Sequence, residues 1–232
     1  MTITFITGAN KGLGYETARR LLEVGQTVVV GARDTERGAA AAATLGARFV
    51  PIDVTDDASV AAAVADVAVH EGAVDVLINN AGVAGPYGDA GDLTGADATA
   101  VFDVNVVGVV RTTTAFLPLL RRSADPVIIN VSSGMGSLEA THDPARVEST
   151  AIVPLYAASK AAVTMLTTQY AKAFPDIRIN AADPSFTATD LNANSGTQTV
   201  AEGTDSVVAL ATEKPGAGSG RFVDRTGEIS WS

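Results

Sequence analysis

The 232-residue chain contains no cysteine. That excludes disulfides, thiolate nucleophiles and cysteine-based metal sites, and it fits a cytoplasmic location. Histidine occurs twice, as His70 and His142. Neither has a partner at metal-ligand spacing, so no metal site is expected. Positive charge is scarce: 16 Lys and Arg stand against 26 Asp and Glu, for a net charge of −10. A phosphate backbone or an anionic bilayer needs clustered cations, so nucleic acid and membrane surfaces are not expected partners. The N-terminus has no basic region followed by an apolar one. No uninterrupted apolar run approaches the roughly 20 residues that span a bilayer. Aromatic residues make up only 5% of the chain. Its 47% hydrophobic content rests largely on Ala and Val, which pack well between helices and a buried sheet.

The apolar segments alternate in period. Residues 2–7 read as a buried strand, 8–14 as a glycine loop, and 13–24 as a helix with Leu13, Thr17, Leu21 and Val24 on one face. Gly25 ends that helix. Strands follow at 27–30, 48–52 and 74–79, separated by helices at 35–45 and 56–70, the latter capped by Thr55. A long helix at 97–121, a strand at 127–131, a helix at 155–173, a strand at 177–181, a helix at 200–212 and a strand at 220–223 complete the pattern. Such βα alternation predicts a Rossmann-type, doubly wound three-layer α/β sandwich with a parallel seven-stranded sheet. No composition break marks a second domain. Residues 1–232 are expected to form a single nucleotide-binding domain.

Four stretches carry chemistry. Thr7-Gly8-Ala9-Asn10-Lys11-Gly12-Leu13-Gly14 follows a strand and opens a helix. That context suits a dinucleotide pyrophosphate: Gly8 for the turn, Gly12 for close approach and Gly14 for helix packing. After the second strand, the ribose-reading position holds Arg33 rather than an acid. With Lys11 in the glycine loop, two cations favour a 2′-phosphate, hence NADP(H) over NAD(H). Asp34 reads as a helix cap. Asp53-Val54 suits either an adenine edge or a plain turn. Asn79-Asn80-Ala81-Gly82 closes the fourth strand at the ligand-binding edge of a parallel sheet. Finally, Ser133 ends a strand, and Tyr156 and Lys160 stand four apart on one helix face. An ammonium beside a phenol can bring its proton exchange towards neutrality. Taken alone, that pair also fits an ordinary helix start.

Together, in this order and context, the glycine loop, Asn79-Asn80-Ala81-Gly82, Val131-Ser132-Ser133 and Tyr156-x-x-x-Lys160 resemble the short-chain dehydrogenase/reductase superfamily over essentially the whole chain. The nearest likeness is to its carbonyl-reductase-like bacterial members. The resemblance implies hydride transfer between NADP(H) and a ketone, aldehyde or secondary alcohol. It implies that Tyr156 is the general acid/base, that Lys160 lowers its pKa and holds the nicotinamide ribose, and that Ser133 polarises the substrate carbonyl. By the same likeness, Asn105 supports a proton-relay water. Cofactor contacts are implied for Gly8, Asn10, Lys11, Gly12, Leu13, Gly14, Arg33, Asp53, Val54, Asn80, Ala81, Gly82, Tyr156, Lys160, Pro184, Thr187 and Thr189. A homo-oligomer, dimer or tetramer, is implied as well. On the residues alone, Asn105 reads as a polar position in a Val-rich helix.

Three departures from the family stand out. Asp183-Pro184-Ser185 replaces the usual Pro-Gly pattern. Ser133 and Tyr156 are separated by an insertion at about 139–153, beside a flexible substrate loop at about 185–200. The tail carries Trp231, which suits the pocket, a subunit interface or a surface anchor. A non-catalytic NADP(H)-binding redox sensor is the alternative function. It has no need of Ser133, Tyr156 and Lys160. A longer-chain epimerase or dehydratase would need a second substrate region, for which this chain is too short.

Overall fold

The computed structural model describes residues 1–231. Its centre is an eight-stranded sheet: β1 (Ile3–Thr7), β2 (Thr27–Ala32), β3 (Arg48–Pro51), β4 (Val76–Asn79), β5 (Val127–Val131), β6 (Arg178–Ala182), β7 (Phe222–Asp224) and β8 (Gly227–Glu228). The spatial order is β3-β2-β1-β4-β5-β6-β7-β8. Seven strands are parallel, as expected. The eighth, a two-residue return of the tail, pairs antiparallel with β7 and makes the sheet mixed. It is too short to leave a periodic signal in the sequence.

The helices are α1 (Gly12–Glu23), α2 (Thr35–Leu45), α3 (Asp57–His70), α4 (Gly95–Phe102), α5 (Gly108–Leu120), α6 (Leu138–His142), α7 (Pro154–Ala173), α8 (Val200–Gly203) and α9 (Asp205–Thr212). Side chains of successive strand residues point to opposite faces. Ile6, Val30, Ile78 and Ile129 therefore join Leu21 of α1 and Leu210 of α9 in one core layer. Phe5, Val29, Leu77 and Ile128 join Val67 of α3 and Phe116 and Leu120 of α5 in the other. The Phe5 and Phe116 rings lie 4.6 Å apart. Burying each large apolar side chain contributes roughly 1.5–3 kcal/mol, and these two layers hold the sheet between the helices.

The helix ends follow local chemistry. Asp34 caps α2, accepting from the Arg37 N–H at 3.0 Å. Asp56, not Thr55, caps α3, accepting from the Ala58 N–H at 2.8 Å. The Thr55 hydroxyl is instead drawn back to Asp53, 2.7 Å away. Val24, expected on the inner face of α1, lies past the helix end and is exposed. The expected long helix is interrupted by a π-helical turn, Asp103–Val107, between α4 and α5. Gly95–Leu120 is, among the described residues, the helical run long and apolar enough to cross a membrane, with 39% of its most apolar window buried. Here it packs on α3, α7 and β4.

Inside the sheet, Asn79 donates to the Asn130 side chain at 2.9 Å and accepts from Thr112 at 2.6 Å, while Asn130 donates to Thr167 at 2.8 Å. This satisfied polar chain ties β4 and β5 to α5 and α7. In the tail, Trp231 stacks on Phe222 at 5.1 Å. It anchors the chain end to β7 and does not reach the cleft described below.

Candidate active site

The strand order reverses between β1 and β4, and ligands of such sheets bind beyond the strand C-termini at that point. A cleft of about 980 Å³ opens there. It is lined by every residue implied above for cofactor contact, and by Ser133. Thus the cleft brings together positions up to 192 residues apart in sequence, from Gly8 to Val200.

At one end lies the glycine loop. Gly8 adopts φ +65°, and a Cβ there would stand 2.9 Å from the Ala81 Cα. At Gly14 a Cβ would meet the Asn80 amide nitrogen at 2.5 Å and the Gly8 carbonyl at 2.6 Å. Asn80 is the brace: its amide donates to the carbonyls of Thr7 at 2.8 Å and Gly8 at 3.0 Å. The Thr7 hydroxyl accepts from the N–H groups of Asn80 and Ala81, both at 3.0 Å. Above Gly12, by contrast, the space is open, with only a Thr189 methyl at 3.9 Å. No side chain caps the N-terminus of α1, and no acid sits in its first turn. Uncapped N–H groups, the positive dipole end and open space fit a pyrophosphate.

Beyond the loop, the cleft edge is cationic. Arg33 and Arg37 are largely exposed, at 74% and 71%. Arg37 escaped the sequence reading. It lies four residues after Arg33, one turn into α2, and that spacing on a helix start is the signal that was available. The Arg33 Nε stands 3.9 Å from Asp53. Burial pushes the Asp53 carboxyl up, but hydrogen bonds from Thr55 and the nearby Arg33 and Arg111 charges outweigh it, for a net lowering. Lys11 is paired with Asp190 at 2.9 Å, across the mouth of the glycine loop.

The other end holds the phenol, hydroxyl and ammonium. Tyr156 lies in the first turn of α7, which Pro154 opens. Ser133 follows β5, and Ser133 and Tyr156 both line the cleft. The buried Lys160 Nζ donates to the Val131 carbonyl at 2.8 Å and stands 5.5 Å from the Tyr156 ring centre. Burial pushes the Tyr156 phenol well above its ordinary value, Ser133 pulls it down, and the Asp183 charge pushes it up again. Burial lowers the Lys160 ammonium to about 8, against the pull of Asp183.

Asn105 does not line the cleft. It sits buried in the π-helical turn, accepting from the Val83 N–H at 2.8 Å and donating to the Val83 carbonyl at 2.9 Å and to Ser159 at 2.9 Å. Its amide thus ties the α4–α5 run to the loop following Gly82 and to α7. The two histidines bond backbone one turn back, His70 to Asp66 and His142 to Leu138. Among the described residues there is no cluster of three or more metal-ligating acids, histidines or cysteines.

A doubly wound sheet with a glycine cradle at its switch point and Ser133, Tyr156 and Lys160 in the same cleft is the arrangement that the likeness to short-chain oxidoreductases leads one to expect. The sequence profile of the short chain dehydrogenase family matches residues 2–199, and the chain belongs to that family. It is 35% identical to short-chain dehydrogenase anuI of Penicillium roqueforti, over 96% of this chain and 93% of that one. It is 32% identical to (−)-isopiperitenone reductase of Mentha piperita, over 95% of each. Its fold matches that of the NADPH-bound carbonyl reductase from chicken fatty liver, with a TM-score of 0.89 at 26% identity, over 99% of this chain and 94% of that one.

Proposed function

We propose that this protein is an NADP(H)-dependent reductase of ketones or aldehydes, acting reversibly on secondary alcohols, with Tyr156 as its proton donor. The observation that carries this reading is a single cleft that holds Ser133, Tyr156 and Lys160 together with a glycine cradle. The bound nicotinamide supplies the hydride; the protein supplies orientation and electrostatics. Gly8, Gly12, Gly14 and the start of α1 hold the pyrophosphate. Arg33 and Arg37 meet a 2′-phosphate, which replaces their loose pairing with Asp53 at 3.9 Å and Asp34 at 3.4 Å.

At the reacting end, Ser133 and Tyr156 converge on one substrate oxygen. Burial keeps the phenol protonated, which is the form that can donate. As the carbonyl oxygen gains charge, Tyr156 passes it a proton. Lys160, still charged at neutral pH, steadies the phenolate that remains. Asn105 acts through Ser159 and Val83, positioning α7 against the loop after Gly82. Val83, Tyr87, Met135, Val147, Val153 and Leu191 line the substrate end, which supports an apolar substrate. We read residues 1–232 as one domain, working as a cytoplasmic homo-oligomer.

The test is oxidation of NADPH and NADH against a panel of ketones, aldehydes and diketones, with wild type and Tyr156→Phe side by side. The expected result is turnover with NADPH that falls at least about 100-fold in the variant, the scale of a lost general acid, while NADPH still binds. Tight binding without turnover on every panel member would instead favour a redox sensor.

A further inference from the structure

A buried acid pair stands behind Ser133, and the catalytic scheme does not use it. Asp183 ends the β6 segment with a fully buried side chain. Its Oδ1 accepts from the Ser185 N–H at 2.8 Å, while its Oδ2 is buried without a hydrogen-bond partner. Facing it is Glu148 of the insertion, also buried. The two carboxyls meet above Gly134, where a Cβ would stand 2.3 Å from Glu148 Oε1 and 3.0 Å from Asp183 Oδ2. One guanidinium serves both: Arg146 donates to Glu148 at 2.9 and 3.2 Å and stands 3.9 Å from Asp183 Oδ2. The remaining charges around the cluster are Asp224 at the end of β7, which acts on Arg146, and Tyr156 and Lys160 of α7.

Two like charges this close in a dry site resist joint ionisation, and one proton between them removes the conflict. It also turns the unpartnered oxygen of Asp183 into a donor or gives it one. We propose that Asp183 is the protonated member of this pair and shares its proton in a hydrogen bond to the Glu148 carboxylate, that this bond latches the 139–153 insertion onto the cleft edge, and that Asp183 is thereby a positioning residue for Ser133. Ser185, whose N–H donates to Asp183 at 2.8 Å, and Gly134, whose N–H lies close to that carboxyl, are the residues that join the latch to the Pro184 turn and to Ser133. Burial raises Asp183 to about 6, those N–H groups lower it, the Glu148 charge raises it and Arg146 lowers it. The latch therefore loosens as pH rises through that value. The part concerning Ser133 rests on the reductase reading; the latch does not.

Thermal unfolding of wild type, Asp183→Asn and Glu148→Gln from pH 4 to 8, with no cofactor or substrate, tests the pair. A carboxyl raised in the folded state stabilises it only while protonated, so wild type loses stability between its unfolded value near 4 and about 6. The Tm advantage of Asp183→Asn should widen by several degrees from pH 4 to 6 and stay constant above. Glu148→Gln should end that widening at lower pH. A Tm difference independent of pH would overturn the raised acid, and an unmoved end point in Glu148→Gln would overturn the sharing. Limited proteolysis of wild type adds a measurement that needs no variant: cleavage within 139–153 should be several-fold faster at pH 7.5 than at pH 5, and equal rates would overturn the latch. In turnover, KM for the carbonyl substrate should rise above pH 6 in wild type but not in Asp183→Asn, with kcat unaffected; superimposable profiles would overturn the positioning role. An absence of turnover would count against the reductase reading and leave the unfolding and proteolysis results standing.

Discussion

Asn105 donates to the Ser159 hydroxyl at 2.9 Å, and Ser159 donates onward to the Tyr156 carbonyl at 2.7 Å. A buried amide in a widened helical turn is thereby tied to the backbone of the proposed acid. π-Helical turns of this kind recur at functional sites. Asn105→Ala would leave the Val83 N–H and carbonyl and the Ser159 hydroxyl without their partner. Removing a buried partner costs about 1–3 kcal/mol, and urea unfolding should show a loss in that range. Turnover should fall as well, since α7 loses its tie to the loop after Gly82.

Arg33 and Arg37 are largely exposed and pair only loosely, with Asp53 at 3.9 Å and Asp34 at 3.4 Å, so their removal should be structurally mild. Hydrogen bonds to charged groups are worth about 1.5–3 kcal/mol each. Arg33→Ala/Arg37→Ala should raise the KM for NADPH at least about tenfold and leave that for NADH within about twofold, on the same scale. Steady-state kinetics with both nucleotides reads this directly, and an equal loss for both would remove the 2′-phosphate assignment.

Lys160 carries a stability cost at neutral pH. Its folded value is about 8 against 10.5 in the unfolded chain. Below pH 8 both states bind the proton and the full penalty applies; between pH 8 and 10.5 the unfolded chain holds more proton, so stability rises with pH. A shift of that size corresponds to roughly 3 kcal/mol. Lys160→Met should therefore be more stable than wild type at pH 7 by about 1–3 kcal/mol, part of the gain being offset by the lost bond to the Val131 carbonyl. The advantage should shrink towards zero by pH 10.5, while turnover is lost at every pH. Denaturant titrations across that range provide the check.

Ser185 occupies φ +56°, where an L side chain costs about 1–2 kcal/mol. It is held there by its N–H bond to Asp183. Glycine removes the strain but adds unfolded-state freedom worth about 0.5–1 kcal/mol. Ser185→Gly should then raise stability by about 0.5–1 kcal/mol in urea unfolding. A destabilised variant would show that the serine side chain contributes more than its backbone costs.

The order of strands and helices could be read before any coordinates, because Ile6, Val30, Ile78 and Ile129 sit in continuous apolar runs of β period. The cofactor edge was legible too: Gly8, Gly12 and Gly14 announce a loop that side chains would fill. Elements without period were not legible. The π turn at Asp103–Val107 differs from α-helix by one residue of winding, and β8 has two residues. Local competition hid the cap of α3, since Asp53 takes the Thr55 hydroxyl and leaves the role to Asp56.

Sequence alone, then, determined the fold class and the chemical types at the cleft, because both depend on residue kind and spacing along a chain whose hydrogen bonding is periodic. Tertiary structure decided what each polar group faces. It turned Asn80 into a brace for the glycine loop, sent Asn105 to Val83 and Ser159 rather than the cleft, brought Arg37 beside Arg33, and set Glu148 against Asp183 above Gly134. Those pairings depend on distances across the sheet and on exclusion of water, and neither quantity is written in the order of the residues.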